Sequence, residues 1–117
     1  LPIDIIQKVT SSESNAIEKH IKLLLKGPLS NYKSIGLLNI GEFDFGILDL
    51  YTNIFKNNFN KKEFIDSNDI LKIENCEAIL LIAQIGNVTR AELELTLDQI
   101  KLLETKVSGI IIISSNL

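Results

Sequence analysis

The hydrophobic period of this chain changes several times along its length, and each change marks an element. Leu1 to Val9 is a short apolar-rich lead that reads as an edge strand or a docking arm. Ser11 to Asn15 is a polar turn offering several helix caps. From Ala16 the period is helical: Ile17, Ile21, Leu24 and Leu25 share a face, with Glu18, Lys19 and Lys22 mostly opposite. Gly27-Pro28 ends that helix. Ile35 to Ile40 is a nearly continuous apolar run, the pattern of a strand covered on both faces of a parallel sheet. Phe45, Leu48, Ile54 or Phe55, and Phe59 then recur at helical spacing, and the polar stretch Asn57 to Lys62 closes the helix. Glu63 to Asp66 reads as a short strand tipped by an acid.

The third unit is the clearest. Ala78 to Ile85 is a buried strand, and Gly86-Asn87-Val88 is the turn after it. Thr89-Arg90-Ala91-Glu92 spells a capping box, in which hydroxyl and carboxylate satisfy each other's backbone N–H groups at a helix start. Leu93, Leu97, Ile100 and Leu103 form the buried stripe of that helix, and Gly109 to Ser114 is a last apolar strand. Strand–helix alternation with continuous apolar strands predicts an α/β domain: a small, mostly parallel sheet between flanking helices, three layers in all, with right-handed crossovers. About four strands fit. Residues 1–117 make one domain, with residues 1–13 as a lead segment.

Composition narrows the class. Apolar residues are 45% and charged residues 23% of the chain, an ordinary globular balance. A net charge of −3, with scattered lysines and few aromatics, argues against a nucleic-acid partner. No run approaches the roughly 18 apolar residues of a membrane span, so direct membrane insertion by this segment is not expected. The start at Leu1 and the absence of Met suggest a piece of a longer product. Cys76, the single cysteine, fits a reducing compartment and reads as a small core residue rather than a reactive thiol. His20, the single histidine, reads as a solvated helix residue.

The candidate chemistry lies after the first long strand. Gly41 and Gly46 enclose four residues at the junction of strand and helix, the spacing of a phosphate-binding loop. A working loop continues with Lys, which reaches the β and γ phosphates, and then Ser or Thr, which ligates magnesium; here Ile47 and Leu48 follow. Glu42 and Asp44 put negative charge where phosphate oxygens would sit. ATP and magnesium are therefore not expected as cofactors. A tight strand-to-helix turn needs glycine whatever it binds, which is the plainer account of Gly41 and Gly46. Glu42, Asp44 and Asp66 are weak candidates for a cation site, or, for Glu42 and Asp44, a general-base pair; helix-dipole compensation is the simpler account of the loop acids. No catalytic residue set is evident.

The order of elements resembles the bacterial tyrosine kinases of capsule and exopolysaccharide synthesis, a branch of the MinD- and ParA-like P-loop NTPases. The most specific stretch is residues 74–112, from Glu-Asn-Cys-Glu-Ala-Ile-Leu-Leu-Ile-Ala through the Thr-capped helix to Val107-Ser108-Gly109-Ile110-Ile111-Ile112. The resemblance implies a P-loop NTPase-like three-layer sandwich, truncated. Departures accompany it: Ile47 and Leu48 in the loop, only a short connection between Asp66 and Ala78, Ile113 where the family carries an adenine-reading Asn, and no C-terminal tyrosine cluster.

Together these features predict a non-catalytic pseudo-kinase or pseudo-ATPase domain in bacterial exopolysaccharide or capsular polysaccharide production and export. It would be cytoplasmic, at the inner face of the cell membrane. It would act through a protein partner, either a polysaccharide chain-length regulator or an active kinase, or as a homo-oligomer. Two alternatives stand beside it. One is an active ATP-binding kinase or ATPase with its lysine supplied from elsewhere. The other is a structural α/β module with no link to polysaccharide.

Overall fold

Strands that are apolar on both sides can be buried only if helices cover both faces of their sheet, and this chain folds that way. The computed structural model describes residues 6–10, 14–58, 62–103 and 106–114. Its elements are β1 (Ile6–Thr10), α1 (Ser14–Lys26), β2 (Ser34–Ile40), α2 (Ile47–Asn58), β3 (Glu63–Ser67), a 3₁₀ turn (Ile70–Lys72), β4 (Ala78–Gln84), α3 (Arg90–Lys101) and β5 (Lys106–Ser114). The strands form one parallel sheet in the order β1-β5-β4-β2-β3. The sheet has five strands where the sequence suggests about four. The extra one is β1, from the lead segment, which pairs along β5 from Ile6 opposite Ile110 to Thr10 opposite Ser114.

The strand order fixes which face each connection takes. The steps β1 to β2 and β2 to β3 move across the sheet in one direction, and the steps β3 to β4 and β4 to β5 move in the other. A single crossover hand therefore places α1 and α2 on one face, and the 3₁₀ turn and α3 on the opposite one. The side chains agree. Ile21, Leu24 and Leu25 of α1 and Tyr51 and Phe55 of α2 pack with Ile35 and Leu37 of β2, Leu80 and Ile82 of β4, and Ile111 and Ile113 of β5. Across the sheet, Ile73, Cys76 and Ile100 pack with Leu38, Ile40, Ile79, Leu81 and Ile110. β4 sits between the two cores and all seven of its residues are buried. The result is a small, Rossmann-like, three-layer α/β domain.

Local chemistry sets the details. The capping box is formed: Glu92 N–H donates to Thr89 Oγ1 at 3.1 Å and Thr89 N–H to Glu92 Oε1 at 3.0 Å. Ile100 is fully buried on the stripe of α3, while Leu93, Leu97 and Leu103 are partly buried against the same core. Where β5 passes β4 the register slips between Ile79 and Leu80, so Val107 and Gly109 are successive partners and Ser108 is bulged. The connection from β3 to β4 is tight, and a Cβ on Gly36 would lie 2.9 Å from Ile73 Cβ. Among the described residues no helix is long and apolar enough to cross a membrane. Ile17 and Phe59, expected on apolar helix faces, lie outside the residues whose side chains are described.

Among the described residues three buried polar side-chain atoms lack partners: His20 Nε2, the Tyr51 hydroxyl and Thr52 Oγ1. The Tyr51 hydroxyl is buried without a hydrogen bond, and burial raises its pKa to about 12. His20 is not the solvated residue expected: it is half-buried, its Nε2 has no partner, and desolvation lowers its pKa below 6.5. Because the native state holds the Tyr51 proton more tightly than the unfolded chain, stability should fall as pH rises from 10 towards 12. Tyr51→Phe removes a hydroxyl that gains nothing from burial. It should stabilise the domain by about 1 kcal/mol and flatten that alkaline decline, as read from urea midpoints at about pH 8 and about pH 11.

Candidate functional site

In open parallel sheets, ligands bind outside the carboxyl ends of the strands, where successive connections leave for opposite faces. Here that point lies between β2 and β4, since β2 runs on to α2 and β4 to α3 on the other side. Two loops meet there: Gly41 to Gly46 after β2, and Ile85 to Val88 after β4. Gly41 has φ +74° and Gly46 has φ +81°, both in the region that disfavours side chains. A Cβ on Gly41 would also lie 2.6 Å from the Asn87 carbonyl oxygen. The backbone therefore dictates both glycines without reference to any ligand.

The crevice between the loops is filled by the protein itself. Gln84, the last residue of β4, is 1% exposed. Its Oε1 accepts the Asp44 N–H at 2.8 Å, and its Nε2 donates to Asp44 Oδ2 at 2.7 Å. Asn87 Nδ2 donates to the other carboxylate oxygen, Asp44 Oδ1, at 3.1 Å. The Glu42 N–H donates to the Asn87 carbonyl at 3.2 Å, and the Ile47 N–H to the Asp44 carbonyl at 3.1 Å.

This pattern decides what the loop can do. A phosphate-binding loop works by aiming backbone N–H groups at the anion. Here the N–H groups of Glu42, Asp44 and Ile47 are all engaged within the protein. The carboxylate of Asp44 accepts from the side-chain amides of Gln84 and Asn87, which puts a fixed negative charge at the loop. Ile47 and Leu48, which replace the lysine and the hydroxyl, are half-buried and pack against the core beneath α1 and α2. The remaining space outside the loop is a shallow cleft of about 390 Å³ whose wall includes Glu42, Asp44 and Asp49. Each carboxylate there repels a nearby phosphate charge by about 1 kcal/mol even in water.

The other expected site residues are placed as follows. Glu42 is exposed, at the loop surface. Asp44 is neither a free cation ligand nor chiefly a dipole-compensating acid, because Gln84 and Asn87 hold it. Asp66 lies opposite Leu37 on the neighbouring strand and pairs with Lys56 at 3.7 Å. Among the described residues no group of three or more His, Cys, Asp or Glu is arranged to hold a metal ion. Cys76 is buried, and burial together with the nearby Glu63 charge raises its pKa, so its thiol is a poor nucleophile.

Two residues that matter at this edge were not evident from the sequence. Gln84 is one: a carboxamide ending an otherwise apolar strand, whose signal was that break in pattern. Phe45 is the other. Its spacing places it on the apolar face of the following helix, yet α2 begins only at Ile47, and Phe45 stands fully exposed at the loop tip. Ile85, half-exposed on the adjoining loop, shares this edge.

These features define a doubly wound α/β domain whose ligand-binding edge is closed by its own hydrogen bonds. No protein-family model matches the chain, and no curated protein or solved structure matches it either.

The lock is testable by a double-mutant cycle. Asp44→Ala leaves the buried Gln84 amide unsatisfied and should cost about 1–3 kcal/mol in urea unfolding. Gln84→Leu should cost a similar amount alone, and the pair should lose less than the sum by at least about 0.5 kcal/mol. Strictly additive losses would show that the two side chains do not depend on each other.

Proposed function

We propose that this domain is a non-catalytic pseudo-ATPase or pseudo-kinase that acts through protein contacts in bacterial exopolysaccharide or capsular polysaccharide biosynthesis and export. The observation that carries the loss of catalysis is the closed loop: three of its N–H donors are engaged, and Gln84 and Asn87 hold the Asp44 carboxylate in it. Phosphoryl transfer is almost wholly positioning and charge neutralisation. A loop without lysine, without a metal-binding hydroxyl and with three of its amides engaged supplies neither. The pathway rests on the resemblance of residues 74–112 to the capsule-synthesis tyrosine kinases. A role in binding another protein is supported by Phe45, a large aromatic side chain fully exposed on the loop after β2, and by Ile85, half-exposed on the loop after β4. The partner of this reading is a polysaccharide chain-length regulator or an active kinase at the inner face of the cell membrane.

Thermal unfolding with ATP and magnesium tests the first half. A ligand bound only by the native state, at a hundredfold excess over its dissociation constant, stabilises by about 2.7 kcal/mol. No shift in midpoint is expected. A saturable rise in midpoint with ATP and magnesium would overturn the proposal.

Phe45→Ala tests the second half. The substitution touches no packed neighbour, so stability should stay within about 0.5 kcal/mol of the parent. Co-purification with the chain-length regulator of the same cell should weaken at least tenfold, since exposed aromatic anchors dominate such contacts. Undiminished co-purification would remove Phe45 from the interface.

A further inference from the structure

The opposite edge of the sheet has the reverse character. There the C-terminal ends of α1 and α2 and the segments entering β2 and β3 enclose a cleft of about 830 Å³, within the size range of small-molecule sites. Lys22, Lys26, Lys33 and Lys62 line it, and among the described residues no acidic side chain does, although the whole chain carries a net charge of −3. We propose that this cleft binds a small organic phosphate, held by the ammonium groups of Lys26 and Lys33, with its organic part against Leu25 and Tyr32.

The four lysines are not equivalent. Lys62 Nζ donates to the carbonyls of Leu29, Ser30 and Tyr32, and so shapes the turn that forms one wall. Lys22 pairs with Glu18 at 3.4 Å. The nearby Glu77 carboxylate accepts the backbone N–H groups of Lys33 and Ser34, at 2.6 and 3.3 Å, and is engaged there. That leaves the ammonium groups of Lys26 and Lys33 without an ion pair or hydrogen bond among the described residues. The negative ends of α1 and α2 offset about half a charge each. Lys62 already serves the carbonyls in the turn after α1, so positive charge remains in excess.

Geometry favours a phosphate over a lone carboxylate. Lys26 approaches from the last turn of α1 and Lys33 from the segment before β2, so the two donors reach the cleft from different elements. Asn31 adds a carboxamide to the same wall. Donors supplied by separate elements to one cleft suit a dianion with three acceptor oxygens. Leu25 and the Tyr32 ring give the wall its apolar part, which an organic substituent would cover. The seven-residue β2 separates this cleft from the Gly41 loop by roughly 20 Å, so the two edges can be probed independently.

The test is a titration with phenyl phosphate at constant ionic strength, followed by backbone amide NMR. Saturable shifts are expected at Leu25, Asn31, Tyr32 and Asn58, with tighter binding than inorganic phosphate. The double variant Lys26→Gln with Lys33→Gln should weaken binding at least about tenfold. Both side chains are exposed, so the fold should survive, and Lys72→Gln, remote from the cleft, should change nothing. Shifts that grow linearly and match those produced by sodium chloride would overturn the site and leave the closed loop untouched. Shifts centred on Gly41 to Gly46 would overturn both this site and the non-catalytic reading.

Discussion

A carboxamide can end a buried strand only if both its ends find partners, and the upper edge of this domain is organised around that requirement. Gln84 closes β4, the strand covered on both faces, and it is itself buried. Asp44 satisfies it twice, through backbone N–H and carboxylate. To do so the chain after β2 must fold back over the end of β4. That path brings Gly41 against the Asn87 carbonyl, where no side chain fits, and sets the entry of α2 at Ile47. The same path turns Ile47 and Leu48 toward the core and leaves Phe45 outside. The glycine spacing, the apolar residues after it and the exposed aromatic are consequences of one local solution to a burial problem.

That solution bears on function because a phosphate site and this lock compete for the same groups. Oriented amides bind anions only while they are free to point outward. Breaking the lock to admit a ligand would strand the Gln84 amide in the core and release Asp44 beside the incoming charge. The first penalty is about 1–3 kcal/mol, and the second adds repulsion. A nucleotide would have to overcome both before gaining any contact, and neither lysine nor hydroxyl is present to reward it.

How much of this the sequence disclosed follows from whether the controlling interaction is local. β2, β4, α3 and its capping box were readable because continuous apolar runs and a Thr-x-x-Glu spacing are decided within a few residues. So was the layered α/β class. The fifth strand was legible only as one of two alternatives, an edge strand or a docking arm, because β1 gains its status by pairing with β5 at the far end of the chain. Phe45 was assigned to a helix face because its spacing fits one. What excludes it is the Asp44 lock, made with residues some forty positions away. His20, which reads as a solvated helix residue, has its ring half-buried by the fold. The positions of Gly41, Gly46, Ile47 and Leu48 were visible. That the Ile47 N–H is already engaged by Asp44, and that Ile47 and Leu48 pack against the core, was not.

The two edges of the sheet also differ in a way that strand polarity alone does not require. Parallel strands with helices running back between them place helix N-termini at one edge and C-termini at the other, so the first edge attracts anions and the second cations. Here the side chains invert both tendencies. Glu42, Asp44 and Asp49 crowd the N-terminal end of α2, while Lys22, Lys26, Lys33 and Lys62 gather at the C-terminal ends of α1 and α2. Compensation of the dipoles accounts for part of each group, at about half a charge per helix end. Of the acids, the lock accounts for Asp44. The basic excess has no such internal use once Lys62 and Lys22 are assigned. A cleft whose unpaired charge opposes that of the whole chain, and which lies at the edge the lock leaves open, is where an external anion would find the lowest barrier to entry.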